Sequence, residues 1–183
     1  VIATLNLVGG GTLRIDGWQN GNRGLTLNLQ GATLAVNRTG GLMTTLSVPA
    51  GASGAVGVGA GATASMAGIS IGAGSSLRKV GPGYLATGTQ TYGAGAALEL
   101  GAGGVLFNTT GGTNLTLNVP TGASVAIDVA AGVSQSPSML NVGAGATIIK
   151  GGPGALIIGS QTFAAGSTLR AAAGTAELLT ALA

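Results

Sequence analysis

The sequence predicts an all-β fold, a parallel β-helix (β-solenoid) of about seven to eight rungs. Three observations predict it. The first is a tandem repeat: Asn37–Gly83 lies over Asn108–Gly154 at an offset of 71, with 23 of 47 positions identical. Lys79–Gly101 and Lys150–Ala172 extend it with the same Lys, Gly-Pro-Gly, Gln-Thr-aromatic and Gly-x-x-Leu marks. The second is composition. Of 183 residues 45% are hydrophobic but only 3% aromatic, and 37 are glycine, so large side chains are too few to fill a wide core. A thin structure with a narrow interior suits such a chain. The third is punctuation: each apolar–polar alternation stops within a few residues at Gly, Asn, Ser or Pro, and no dozen-residue window holds a helical period. A fixed period of Gly-punctuated short strands marks a solenoid. A rung takes roughly 20–25 residues, so the 71-residue unit predicts about three rungs per repeat. Rungs ~4.8 Å apart would make a rod ~35–40 Å long. A sandwich or jelly roll shares the short strands, but it seldom carries so faithful a long-range repeat and needs more aromatics.

Taken in order, Ile2–Val8 alternates as a strand and Gly9-Gly10-Gly11 breaks it. Thr12–Asp16 is a second strand, followed by the loop Gly17–Asn22 with its turn formers. Leu25–Leu29 is the cleanest alternation in the chain, and Thr33–Val36 follows after Gly31. Every strand is expected to be four to seven residues long. One domain spans residues 1–183, as a partial repeat 1–36, a repeat 37–107 and a repeat 108–178. Residues 176–183 close it as an end strand or a short helix. Inward positions take Val, Leu, Ile and Ala, and outward positions Thr, Ser and Asn. Pro49, Pro82, Pro120, Pro137 and Pro153 fall at strand ends or turns, where a missing N–H costs no ladder bond.

Charge narrows the function classes. Only 6% of residues are charged, against roughly 25% in an ordinary soluble domain. The net charge of +3 comes from seven Lys and Arg and four Asp and Glu with no basic cluster, which argues against nucleic acid as a partner. Gly, Ser and Thr interrupt every apolar run well before ~18 residues, so no membrane insertion of this segment is expected. There is no cysteine, which removes disulfides and thiolate sites and fits export. The first residue is Val1 rather than Met, which points to a processed chain or an excised fragment.

Catalytic chemistry finds little to use. The acids are Asp16, Glu99, Asp128 and Glu177, and there is no histidine. Paired-carboxylate catalysis needs two acids within roughly 5–10 Å. Glu99 and Asp128, 29 residues apart, are the one pair that stacking rungs could bring together, although solvated surface acids are the plainer reading. A serine triad lacks its His, and no acid cluster matches a calcium cage. No catalytic, cofactor or metal site is therefore expected. Asn37, Asn108 and Asn114 open Asn-x-Ser/Thr triplets that read as outward polar positions. Lys79 and Lys150 are the only charges kept between the copies. Each precedes a Gly-Pro-Gly corner, where a lysine could meet an anion, cap exposed carbonyls or keep that face soluble. Trp18, the one tryptophan, is either a sugar-stacking platform or a local plug. The apolar end segments, with Ile2, Leu5 and Leu7 at one end and Leu178 and Leu179 at the other, resemble no polar cap and suit self-association.

The two marked segments resemble the passenger-associated repeat of bacterial autotransporters. The match runs through Lys79, Gly81, Gly83, Leu85, Gly88, Thr91, Tyr92, Gly95, Leu98 and Leu100, and again through Lys150, Gly152, Gly154, Leu156, Gly159, Thr162, Phe163, Gly166 and Leu169. Phe163 stands for the family's Tyr and Ala171 for its last Leu. The resemblance implies a right-handed parallel β-helix, exported across a Gram-negative envelope to the cell surface or beyond. The family's C-terminal barrel is absent, which implies a passenger fragment or a secreted relative. The expected function is that of a non-enzymatic rod stacking head to tail with itself into a fibre. The alternatives are an adhesin passenger presenting Trp18 to glycans or host surfaces and, more remotely, a polysaccharide-active β-helix enzyme.

Overall fold

The computed structural model describes residues 4–16 and 24–180. Trp18, Ile2 and the last three residues lie outside them. Twenty strands follow one another in the chain: β1 (Thr4–Val8), β2 (Thr12–Ile15), β3 (Leu25–Gln30), β4 (Thr33–Val36), β5 (Gly40–Val48), β6 (Ser53–Val58), β7 (Thr63–Ile71), β8 (Ser76–Val80), β9 (Tyr84–Tyr92) and β10 (Ala96–Leu100). Then come β11 (Gly103–Phe107), β12 (Leu115–Val119), β13 (Ser124–Val129), β14 (Ser134–Gln135), β15 (Met139–Val142), β16 (Thr147–Gly151), β17 (Ala155–Ile158), β18 (Ser160–Phe163), β19 (Thr168–Ala171) and β20 (Thr175–Leu178). Every strand pairing is parallel. The first sheet runs β1-β3-β5-β7-β9-β11-β13-β16-β19, the second β2-β4-β6-β8-β10-β12-β15-β18, and the third β14-β17-β20. The first sheet spans two sides of the rod, joined through the long strands β5, β7 and β9. One side alone has nine levels from β1 to β20, hence about eight turns of solenoid, and at ~4.8 Å per level the rod is ~40 Å long.

Period-two alternation sets which side chains enter the rod. In β3, Leu27 and Leu29 point inward and are buried, while Thr26 and Asn28 stay half-exposed outside. Successive coils stack like on like, Leu27 beside Leu46 beside Ile69, so one continuous core runs from Leu27 to Ile158. Outside, Asn28 donates its side-chain amide to Asn6 at 2.8 Å and Asn141 donates to Asn118 at 2.9 Å. All five prolines lie between strands. Among the described residues there is no helix, hence none long and apolar enough to cross a membrane.

The structure refines the sequence expectation in three places. The repeat takes about three rungs, as expected, and more closely three turns and one side. Lys79 lies on β8 of the second sheet, and its copy Lys150 on β16 of the first; β6 and its copy β13 are displaced the same way. Along the first sheet Leu85, Val105, Ile127 and Lys150 are successive partners, so three full turns take 65 residues and the remaining six carry the chain to the next side. Strand length also departs: β5, β7 and β9 each have nine residues. These strands cover two sides at once. Their copies are split, β7 into β14 and β15, and β9 into β17 and β18. At the C-terminal end Thr175–Leu178 is strand β20, the end strand rather than the short helix of the two readings left open there.

Candidate functional site: lysine cages and open end strands

The kept lysines are built into the wall by strand parity. Lys79 stands two residues after inward Leu77, and Lys150 two after inward Ile148, so both side chains enter the rod and are fully buried. Each ammonium donates to three carbonyls: Lys79 Nζ to Val80 O at 3.1 Å, Gly81 O at 2.7 Å and Ala102 O at 3.0 Å. Lys150 Nζ donates to Gly151 O at 2.6 Å, Gly152 O at 2.9 Å and Ala173 O at 3.0 Å. An ammonium has three N–H donors, so each cage is complete. One carbonyl comes from the first glycine of the Gly-Pro-Gly corner, one from the last strand residue before it, and the third from the next coil. Those carbonyls face the buried Nζ, and the lysine satisfies them.

The motif glycines serve the same corner. Gly81 and Gly152 take positive φ, +78° and +69°, which a side chain would strain. A Cβ on Gly83 would run into the carbonyl oxygens of Gly59 and Ala62, and one on Gly154 into those of Ala130 and Val133. Burial pushes the Lys79 amine down to about 8. Burial also lowers the Lys150 amine, and the Asp128 carboxylate pulls it partly back.

The four acids are separated. Glu99 on β10 of the second sheet pairs with Arg78 Nε at 2.9 Å on the adjacent strand β8, an exposed ion pair. Asp128 lies on β13 of the first sheet, so the two acids that the sequence left open as neighbours are on different sheets. Asp16 accepts from Arg14 and from Asn37, which together hold its carboxyl below the usual range. The Tyr84 ring lies over Gly104 and its hydroxyl reaches Asp128. Burial raises the Asp128 carboxyl, opposed by Lys150 and that hydroxyl. Sequence reading missed this contact, because Tyr84 crosses a neighbouring strand to make it. It missed an interior network too. Gln90 and buried Gln135 exchange amide hydrogen bonds at 2.9 and 3.3 Å across the coil that carries Gly111, and the Tyr92 hydroxyl donates to Gln90 at 3.0 Å. Among the described residues no group of three or more acids lies close enough to hold a metal ion.

The end strands are the other candidate surface. Leu5 and Leu7 on β1 occupy the inward columns of Leu27 and Leu29, and among the described residues no coil stacks above them; Leu5 is 42% exposed where Leu27 is 1%. At the opposite end Leu178 on β20 packs partly against the core and Leu179 just beyond is exposed. Both β1 and β20 are outermost strands of their sheets among the described residues. No family model, curated protein or solved structure matches this chain.

Proposed function

We propose that this chain is a structural rod, a non-enzymatic β-solenoid that extends by stacking end to end into a fibre or stalk. The observation that carries the reading is the exposed apolar core at the first and last described coils, above all Leu5, which continues the column of buried Leu27 and Leu46. A sheet edge left open offers unpaired N–H and C=O groups that template another strand. Unlike ends that join make heterologous contacts, and such contacts run on into filaments. A net charge of +3 over 183 residues opposes this little. The side chains kept between the copies, two caged lysines with Gly, Pro and Leu, support corners and packing rather than a reacting centre. The resemblance to the autotransporter repeat supports placing the rod outside a bacterial cell, where a close-packed solenoid resists proteases. Sedimentation over a rising concentration series, with electron microscopy of the same samples, tests the reading. Unbranched fibres are expected; a protein that stays monomeric throughout would overturn it.

A further inference from the structure

We infer that copies join with β20 of one against β1 of the next, in the register Thr175 to Thr4, Ala176 to Leu5, Glu177 to Asn6 and Leu178 to Leu7. The inference rests on the end-to-end reading and adds the strands and the register.

The two strands lie on the same side of the rod. One inward column runs Leu5, Leu27, Leu46, Ile69 and Gln90 through partnered strands. It resumes at Gly111, Gln135, Leu156 and Ala176. The paired amides of Gln90 and Gln135 join the two runs. A second copy set on the first along the rod axis therefore meets β20 with β1, both running in the same direction.

The molecule already contains this junction once. Inside the second sheet β10 pairs with β12, placing Ala97 beside Thr116, Leu98 beside Leu117 and Glu99 beside Asn118. β20 resembles β10, with an outward Glu between inward apolar residues, and β1 repeats the Thr-Leu-Asn of β12. In both cases the Glu strand is the lower level and the Thr-Leu-Asn strand the upper. The proposed register sets Glu177 beside Asn6 as Glu99 stands beside Asn118, so the amide can donate to the carboxylate. It sets Ala176 against Leu5 and Leu178 against Leu7, continuing the core across the joint. The outward residues of β1, Thr4 and Asn6, carry no charge to oppose Glu177.

The chain's lack of cysteine makes the register directly testable. Adjacent strands are about 4.8 Å apart, within disulfide reach, whereas positions two residues out of register are roughly 8 Å apart. An Asn6→Cys, Glu177→Cys double variant is assembled and then oxidised, beside an off-register Asn6→Cys, Thr175→Cys control. The first is expected to give a ladder of covalent multimers and the control none. Independently, Asn6→Glu sets like charges side by side and raises the concentration needed for assembly roughly fivefold at low salt, while Asn6→Lys lowers it. These single surface variants also decide the matter if a cysteine variant fails to fold. Fibres that cross-link only at the 6–177 pair and shift this way with charge establish the register. Fibres that cross-link off register or at neither pair, or ignore the charge at position 6, overturn the register and leave end-to-end stacking standing. A chain that stays monomeric overturns both.

Discussion

A buried lysine is an unusual use of charge, and Lys79 shows what the cage asks of it. Replacing it with methionine keeps the length and removes three donors, leaving the carbonyls of Val80, Gly81 and Ala102 without partners. Lys79→Met is expected to cost ~2–4 kcal/mol in denaturant unfolding at neutral pH. The same residue gives the rod an alkaline signature. The native amine titrates at about 8, the unfolded one near ~10.4. Between those values the unfolded chain holds a proton that the native chain has released, so stability rises with pH across the window. Tyr92 works the other way: burial raises its hydroxyl above the phenol range, so the native state keeps a proton that the unfolded chain loses, and stability falls above pH ~10. The urea midpoint is expected to climb from pH 8 towards 10 and then drop, and the climb is expected to shrink in Lys79→Met. A midpoint already falling between 8 and 10 would show that the three carbonyls hold the proton more firmly than burial releases it. The direction of Lys79 was legible in its spacing from Leu77; its partners were not, since one of them belongs to a coil 23 residues further on.

At the scale of the element, the corners carry the repeat. Strand positions and proline placement could be read from alternation and breaks: Thr33–Val36 is a strand with the expected bounds, and Leu25–Leu29 runs one residue longer. The nine-residue strands could not. Strands are expected to stop at glycine, yet at Gly68 in β7 and Gly88 in β9 the backbone continues as strand and pairs on both sides of each. A Cβ on Gly88 would strike the carbonyl of Ala67, so this glycine marks close coil-to-coil packing and not a turn. Gly83 and Gly154 meet their neighbours almost identically although they sit on different sides of the rod. Gly83→Ala and Gly154→Ala are therefore each expected to destabilise by ~3 kcal/mol or more, by similar amounts in thermal or urea unfolding. A large cost at one and none at the other would show that the two corners are not equivalent.

For the whole molecule, the solenoid was legible because its period is long and its punctuation regular, while the phase of the repeat was hidden. A count of 71 residues fits three rungs of about 24 as well as it fits three turns and a side, and only the strand pairing separates them. That phase has a consequence. In a solenoid each coil contacts only its neighbours, so a unit is removable if the faces that meet afterwards match. Excising residues 80–150 joins Lys79 to Gly151 and removes one whole repeat. Every coil beyond the joint is then turned by one side, but each strand lands on the repeat equivalent of its former neighbour. Excising residues 86–150 removes three full turns and keeps each strand on its side, yet joins Leu85 to a corner built to follow a caged lysine. The first deletion is expected to fold as a rod ~16 Å shorter, cooperative in unfolding and measurable by small-angle scattering. The second is expected to lose cooperative unfolding. If instead the 65-residue deletion folds and the 71-residue one does not, the coils are held by their side of the rod rather than by the repeat, and the corner-centred account of this fold fails.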